Sequence, residues 1–379
     1  MRLRSGHVVD QASDEVTENG EVPLFAERKA KSMQKRHKSV GVTSFGTFLC
    51  RLGRWKKTFY IIGTILFFLY VIVPTLLYLF PSMIKIGVFL TMMHWPIVID
   101  FNDFGYFKLT AARNFRVPTQ DSSLGVWHIP PKSLVPKFMK DNSSEAYENS
   151  LSDGYPIILY FHGNAGTRAR HYRIQFYKVA TAQQLHVLAF DYRGFADSPG
   201  EPTENGMVED GYTMLKWIRK RSGKSPVFLW GHSLGSGVAT KLSKQLSKEG
   251  FVPNGLVLEA PISSMRDAAF GHPLGALWRY MPFFEAIFLR ALEDQHIYFN
   301  NVESIGDVSF PILLMHAEDD GIVPYDIGLK LVEAARKRRS RDFAPFKFIS
   351  FEAEQRCGHY MFRSKDLPDI IDKFVKQYS

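Results

Sequence analysis

Residues 58 to 84 run for 27 positions without a charged side chain (TFYIIGTILFFLYVIVPTLLYLFPSMI). A helix crossing a hydrocarbon layer about 30 Å thick needs about 20 apolar residues, and residues 59 to 79 supply them. The run lies too deep in the chain, and is too long, for a cleaved signal peptide. Pro74 predicts a kink, which a membrane helix tolerates. The helix of a soluble core seldom runs so far without one charge. The pattern predicts a transmembrane helix over 58–80.

Charge sets the expected direction of crossing. The 379 residues hold 47 Lys+Arg against 38 Asp+Glu, a net charge of +9. Residues 1–57 hold 12 basic and 6 acidic residues, and residues 58–379 hold 35 and 32. Two thirds of the excess thus sits in the first 57 residues, which read as a basic tail without sustained hydrophobic periodicity. Arg51, Arg54, Lys56 and Lys57 form a collar at one end of the apolar run, whereas Lys85 is the only charge from there to Asp100. The positive-inside bias predicts a single pass with a cytosolic N-terminus and the remainder across the membrane. The excess therefore bears on topology and gives no reason to expect nucleic acid.

A second apolar run, 86–99 (IGVFLTMMHWPIVI), has only 14 residues. That is short for a span, so residues 81–120 are expected to be membrane-proximal, lying in the interface or packing under the following domain. Asn142-Ser143-Ser144 is a glycosylation sequon in a polar stretch, usable only in the secretory lumen. Two cysteines, Cys50 and Cys357, exclude a disulfide scaffold and a Cys-rich zinc protein, and the predicted topology separates them. Apolar residues at 45% exclude a wholly disordered chain.

From residue 157 onward short apolar strands alternate with helical stretches. The strands are expected at 157–162, 186–192, 227–231, 255–259, 311–316 and 346–351. Helices are expected near 168–183, from 204 after a Thr203 cap, from 234, and over 367–378. Near-continuous apolar strands separated by helices predict a mostly parallel sheet covered on both faces, one domain over 121–379. Ligands bind such sheets at the carboxyl ends of the strands.

Gly231-His232-Ser233-Leu234-Gly235 lies between a strand and a helix. A sharp turn there lifts a serine above the sheet edge, and the helix N-terminus behind it favours developing negative charge. An ordinary Gly-rich turn would not require partners further along, yet they follow in order. HAEDDGIVP (316–324) offers an acid, with Asp320 preferred, Asp319 second and Glu259 remoter. Cys357-Gly358-His359-Tyr360 offers a base. His359 would take the proton of Ser233 and later return it to the leaving group, while the acid fixes its tautomer.

An oxyanion would need two backbone donors, and the N–H groups of Leu234 and Asn164, in His162-Gly163-Asn164-Ala165-Gly166, are the candidates. A phosphate loop is disfavoured because this glycine loop lacks the Lys-Ser/Thr that follows. His162 is expected to brace the loop, His316 to end a buried strand, and Cys357 to be a small buried residue. Asp191 and Arg193 are expected to be bonded within a structural loop. No metal-ligand spacing and no dinucleotide fingerprint occurs, so neither metal nor cofactor is expected.

Between the strands ending at Glu259 and beginning at Pro311 lie about fifty residues with little strand character, long for one connection. Seven aromatics fall within 278–299. A cap over about 262–305 is expected, with Trp278, Phe283, Phe284 and Phe288 facing an acyl chain; ordinary packing on the sheet is the alternative. With the anchor, this favours a lipid drawn from the bilayer.

The motifs LYFHGNAGTR, FDYRGFADSPGEPTE, WGHSLGSGVAT and HAEDDGIVP resemble those of the membrane-bound α/β-hydrolase-domain lipases that cleave lysophosphatidylserine and monoacylglycerols. The resemblance runs from the transmembrane segment to the C-terminus. It implies an α/β-hydrolase fold and a serine hydrolase of the endoplasmic reticulum membrane with a lumenal catalytic domain. Ser233 would be its nucleophile, Asp320 its acid and His359 its base. The expected partners are the membrane and a lipid substrate, with no nucleic acid and no obligate protein partner. The segment before His359, EAEQRCGHYMFR, is less distinctive than the other motifs. Two competing readings are a protein depalmitoylase or other acyl-ester hydrolase, and a non-catalytic lipid-binding membrane protein.

Overall fold

The computed structural model describes residues 55–92, 99–273, 275–278 and 280–379. The tail 1–54, with Cys50, Arg51 and Arg54, and residues 93–98 of the 86–99 run lie outside the described residues. The chain divides into two compact units, Met1–Leu69 and Tyr70–Ser379.

A 25-residue helix, Trp55–Leu79, is long and apolar enough to cross a membrane, close to the span expected at 58–80. Its residues Phe68–Ile72 widen into a π-helical turn just before Pro74. Proline brings no N–H and its ring crowds the carbonyl four residues earlier, and the wider turn accommodates both. In the second unit, a short helix Ile84–Val88 follows. Val88 and Phe89 are buried in the core of that unit, so this piece of the 86–99 run packs under the domain, while Ile86 and Met92 stay exposed.

Eight strands form one sheet: β1 Arg113–Pro118, β2 Ser123–Ile129, β3 Ile157–Phe161, β4 His186–Phe190, β5 Val227–His232, β6 Gly255–Glu259, β7 Ile312–Ala317 and β8 Phe346–Phe351. Their spatial order is β1-β2-β4-β3-β5-β6-β7-β8. Strands β3 to β8 pair in parallel, while β2 runs antiparallel to both β1 and β4. Strand β1 falls inside the stretch expected to be membrane-proximal, so the sheet begins ahead of residue 121.

The sheet has a core on each face because its central strands are apolar on both sides. In β3, Ile157, Leu159 and Phe161 enter one cluster with the helices Glu204–Arg219, Leu234–Glu249 and Tyr325–Arg338. Ile158 and Tyr160 enter the other, with His171–Ala182 and Leu367–Tyr378. Thr203 caps its helix as expected, its hydroxyl accepting from the Gly206 N–H. The loop after β4 is held from outside itself. Buried Arg168 donates to Asp191 at 2.5 Å and Asp197 at 2.6 Å, while Arg193 is gripped by Asp210 from the next helix. Between β6 and β7 lie helices Met265–Gly271 and Phe284–Asp294 with a 3-10 turn Gly275–Leu277.

Candidate active site

Three loops at the carboxyl ends of β5, β7 and β8 carry the candidate residues. After β5 the chain turns at Ser233 with φ 54° and ψ −121°, a left-handed conformation that non-glycine residues seldom adopt. The Ser233 N–H is anchored on the Glu259 carbonyl at 3.0 Å, and the helix Leu234–Glu249 starts at once. The turn is tight enough that a Cβ at position 235 would sit 2.1 Å from the Phe161 carbonyl oxygen. Only glycine lets the helix start approach the end of β3 so closely.

That approach brings the two proposed oxyanion elements together. A Cβ at position 163 would lie 3.1 Å from the Ser233 Cβ, so the loop carrying Asn164 abuts the serine directly. Leu234 opens its helix, where backbone N–H groups have no intrahelical acceptor. The loop is braced by Arg173, a wholly buried side chain that donates to the carbonyls of Gly163, Ala165 and Thr167 at 2.6–2.8 Å. Asn164 adds an outside tie: its Oδ1 accepts from the Leu90 N–H at 3.1 Å. His162 bonds the Gly163 carbonyl at 2.8 Å, the bracing expected of it.

Asp320 and His359 form a buried pair, Oδ2 to Nδ1 2.8 Å. The other carboxylate oxygen of Asp320 accepts from the Ile322 and Val323 N–H groups at 2.8 and 3.0 Å. Burial alone would push this carboxyl up, but hydrogen bonds from His316 and His359 outweigh it and hold it well below the usual carboxylate range. His316 ends its buried strand as expected and bonds the Val323 carbonyl at 2.9 Å. Asp319, the second choice of acid, accepts the Gly358 N–H at 2.8 Å and so holds the base loop by its backbone.

His232 immediately precedes Ser233, and its ring lies 4.7 Å from that of His359. Its Nε2 bonds the His359 carbonyl at 2.9 Å, tying the base loop to the residue before Ser233. Glu259, the remoter candidate for the acid, has both carboxylate oxygens engaged away from the His359 ring. One of its oxygens accepts from Trp230 Nε1 at 2.8 Å and the other from the Met361 N–H at 2.9 Å, two residues beyond His359. Sequence reasoning missed Arg173, Leu90 and this role of Glu259. The only signal was a charge among apolar neighbours, Arg173 beside Ile174 and Glu259 closing GLVLE.

Burial raises the Glu259 carboxyl from 4.5 to about 7. The unfolded chain releases this proton near 4.5 and the folded one only near 7, so stability falls as pH rises through that window and stays reduced above it. The decline amounts to about 3 kcal/mol. Glu259→Gln is therefore expected to flatten the melting temperature between pH 5 and 7 relative to the parent, measured in detergent. A parent and variant with parallel profiles would remove the assignment.

The four cap aromatics separate into two groups. Phe284 is buried and stacks on Trp278 at 5.3 Å and 13°, with Phe288 alongside at 6.1 Å. Phe283 is 82% exposed and turns away. His272, at the end of the helix Met265–Gly271, has its pKa lowered chiefly by burial and further by His359. Cys357 is buried and its thiol is pushed up to about 11, chiefly by burial. Asn142 is exposed ahead of a short helix that Ser143 caps. Among the described residues no group of His, Cys, Asp and Glu could hold a metal ion.

The arrangement provides a strained serine, a buried acid–imidazole pair and two loops with backbone N–H groups near the serine. Residues 155–304 match a family described as serine aminopeptidase, S33. The chain is 38% identical over 343 residues to the lysophosphatidylserine lipase ABHD12 of Xenopus tropicalis, covering 89% of this chain and 86% of that one. Identity to its counterpart of Bos taurus is 40% over 330 residues, covering 86% and 82%. Among solved structures, the Pyrococcus furiosus esterase Pf2001 aligns with a TM-score of 0.52 at 14% identity, over 74% of this chain and 95% of that chain. That likeness shows the α/β-hydrolase fold.

Proposed function

The chain belongs to the family of the lysophosphatidylserine lipases ABHD12, and on that premise we propose that it is a membrane-anchored serine lipase. It cleaves the acyl ester of lysophosphatidylserine and of monoacylglycerols through an acyl-enzyme. The observation that carries this reading is the 2.8 Å Asp320–His359 pair, its loop tied through His232 to the turn that presents Ser233.

In the reaction, His359 takes the Ser233 proton as Oγ attacks the ester carbonyl. The tetrahedral oxyanion is met by the N–H groups of Leu234 and Asn164. His359 then protonates the departing glycerol oxygen as the C–O bond breaks. Water, deprotonated by His359, attacks the acyl-serine and releases the fatty acid, and the proton returns to Ser233. Trp278, Phe284 and Phe288 offer the acyl chain an apolar wall. No step calls for a metal or cofactor.

The helix Trp55–Leu79 serves as the anchor, with Lys56 and Lys57 on the cytosolic side and the hydrolase domain in the lumen of the endoplasmic reticulum. The exposed Asn142 sequon supports that orientation. The test is a hydrolysis panel on the full chain in microsomes, with endoglycosidase treatment of the same sample. Lysophosphatidylserine and monoacylglycerol are expected to release fatty acid well ahead of a palmitoyl-thioester peptide, and Asn142→Gln to abolish the glycosidase mass shift. Faster thioester cleavage would make the protein a depalmitoylase, and no hydrolysis at all a binding protein. An absent mass shift would withdraw the support that the sequon gives to a lumenal domain.

A further inference from the structure

The connection between β6 and β7 carries an apolar edge that water does not explain. Residues 268–284 (AAFGHPLGALWRYMPFF) contain one formal charge, Arg279. Within them Leu277 is 42% exposed, Tyr280 89% and Phe283 82%. Just outside them, Arg266 and Glu285 pair with one another, so charge resumes on both flanks of the apolar stretch. Contiguous exposed apolar surface of this kind marks a protein or membrane contact, and aromatic tips beside a charged border are the composition of a segment seated at a bilayer surface.

One hydrogen bond fixes the level of this edge. The Tyr70 hydroxyl donates to the Leu277 carbonyl at 2.6 Å. Tyr70 lies nine residues before the helix end at Leu79, about 13 Å along the axis at 1.5 Å per residue. Within a bilayer a hydroxyl at that position would need a protein acceptor, and the Leu277 carbonyl is one. Further up, the Arg290 guanidinium lies over the Tyr78 ring at 4.9 Å. The last turns of the anchor and the cap therefore lie side by side. The surrounding side chains are also apolar and exposed, among them Leu79, Phe80, Met83 and Ile86.

We propose that the cap edge Leu277–Phe283 is immersed in the leaflet from which the anchor emerges, with the lipid bilayer as the partner of this face. The proposal rests on the reading of Trp55–Leu79 as a membrane span and adds to it. Phe284 and Phe288 then stand directly behind the immersed edge, with Trp278 of that edge stacked on Phe284, so an acyl chain leaving the leaflet meets an apolar wall rather than water.

The test places single cysteines on the full-length chain carrying Cys50→Ser, labelled with an environment-sensitive nitrobenzoxadiazole dye in phosphatidylcholine proteoliposomes. Buried Cys357 has a raised thiol pKa and contributes little background. The sites are Tyr280→Cys, Phe283→Cys, Leu66→Cys within the helix, and Glu333→Cys on an exposed helix face remote in sequence. Nitroxides on the lipid acyl chains are expected to quench most of the emission at 280, 283 and 66, and none at 333. Quenching at 66 but not at 280 or 283 overturns the immersion and leaves the anchor standing. Loss of quenching at 66 as well overturns the anchor and the proposal together. A blue-shifted dye at 280 that lipid nitroxides do not quench assigns the face to a protein partner or a second copy, and overturns the proposal.

Discussion

Ser233→Ala is expected to lower kcat for lysophosphatidylserine by about 10⁵-fold or more, since loss of the nucleophile in a triad removes nearly all of its catalytic advantage. The remaining oxyanion donors and binding surface account for what activity persists. Labelling by a fluorophosphonate probe should vanish with it. The fold should not change, because the backbone at 233 is already held by the Glu259 carbonyl and by the close packing of Gly235. Alanine tolerates φ 54° no better and no worse than serine. The paired measurement is therefore labelling and melting temperature on the same preparation. Undiminished labelling would assign the nucleophile to another residue, and a collapsed melting transition would show that the hydroxyl has a structural role.

The parts of this site that could be read from sequence are those fixed by local chemistry. A glycine two residues from a serine, a strand before it and a helix after it are all consecutive in the chain, so Ser233, Asp320 and His359 fall on the expected turns. Strands β6 and β8 match their expected limits, Gly255–Glu259 and Phe346–Phe351. The edge strand β1 went unread for the opposite reason. Arg113, Asn114 and Arg116 in β1 are partly solvated, and an edge strand carries polar residues that blunt further pairing, so no continuous apolar run announces it. The supports of the candidate site are longer-range still. Glu259 reaches Met361 across 102 residues and Asn164 reaches Leu90 across 74. Such side-chain-to-backbone ties leave no periodicity and become visible only once the chain is folded.

Asp320→Asn is expected to lower kcat by about 10⁴-fold while leaving KM near its parent value. The reason lies in how the carboxylate is divided. One oxygen is committed to two backbone donors, Ile322 and Val323, and an asparagine must keep its carbonyl oxygen there to satisfy them. Its NH₂ group then faces His359 Nδ1, where the carboxylate now sits at 2.8 Å. A donor in that place requires Nδ1 to be the acceptor, so the imidazole carries its proton on Nε2. That tautomer has no free lone pair on the nitrogen that would take the Ser233 proton, and the base is disabled without moving. The variant also changes the acid side of the stability profile. The Asp320 carboxyl is depressed in the folded state, chiefly by His316 and His359 hydrogen bonds that overcome its burial. Its contribution is thus present above the ordinary aspartate value and lost as pH falls through the lower folded one. The asparagine variant lacks this acid-labile component, so its melting temperature should decline less than the parent's between pH 4 and pH 2. A kcat loss below tenfold would mean that Asp320 does not set the His359 tautomer. Asp319, already bonded to the Gly358 N–H, would then be the next residue to change.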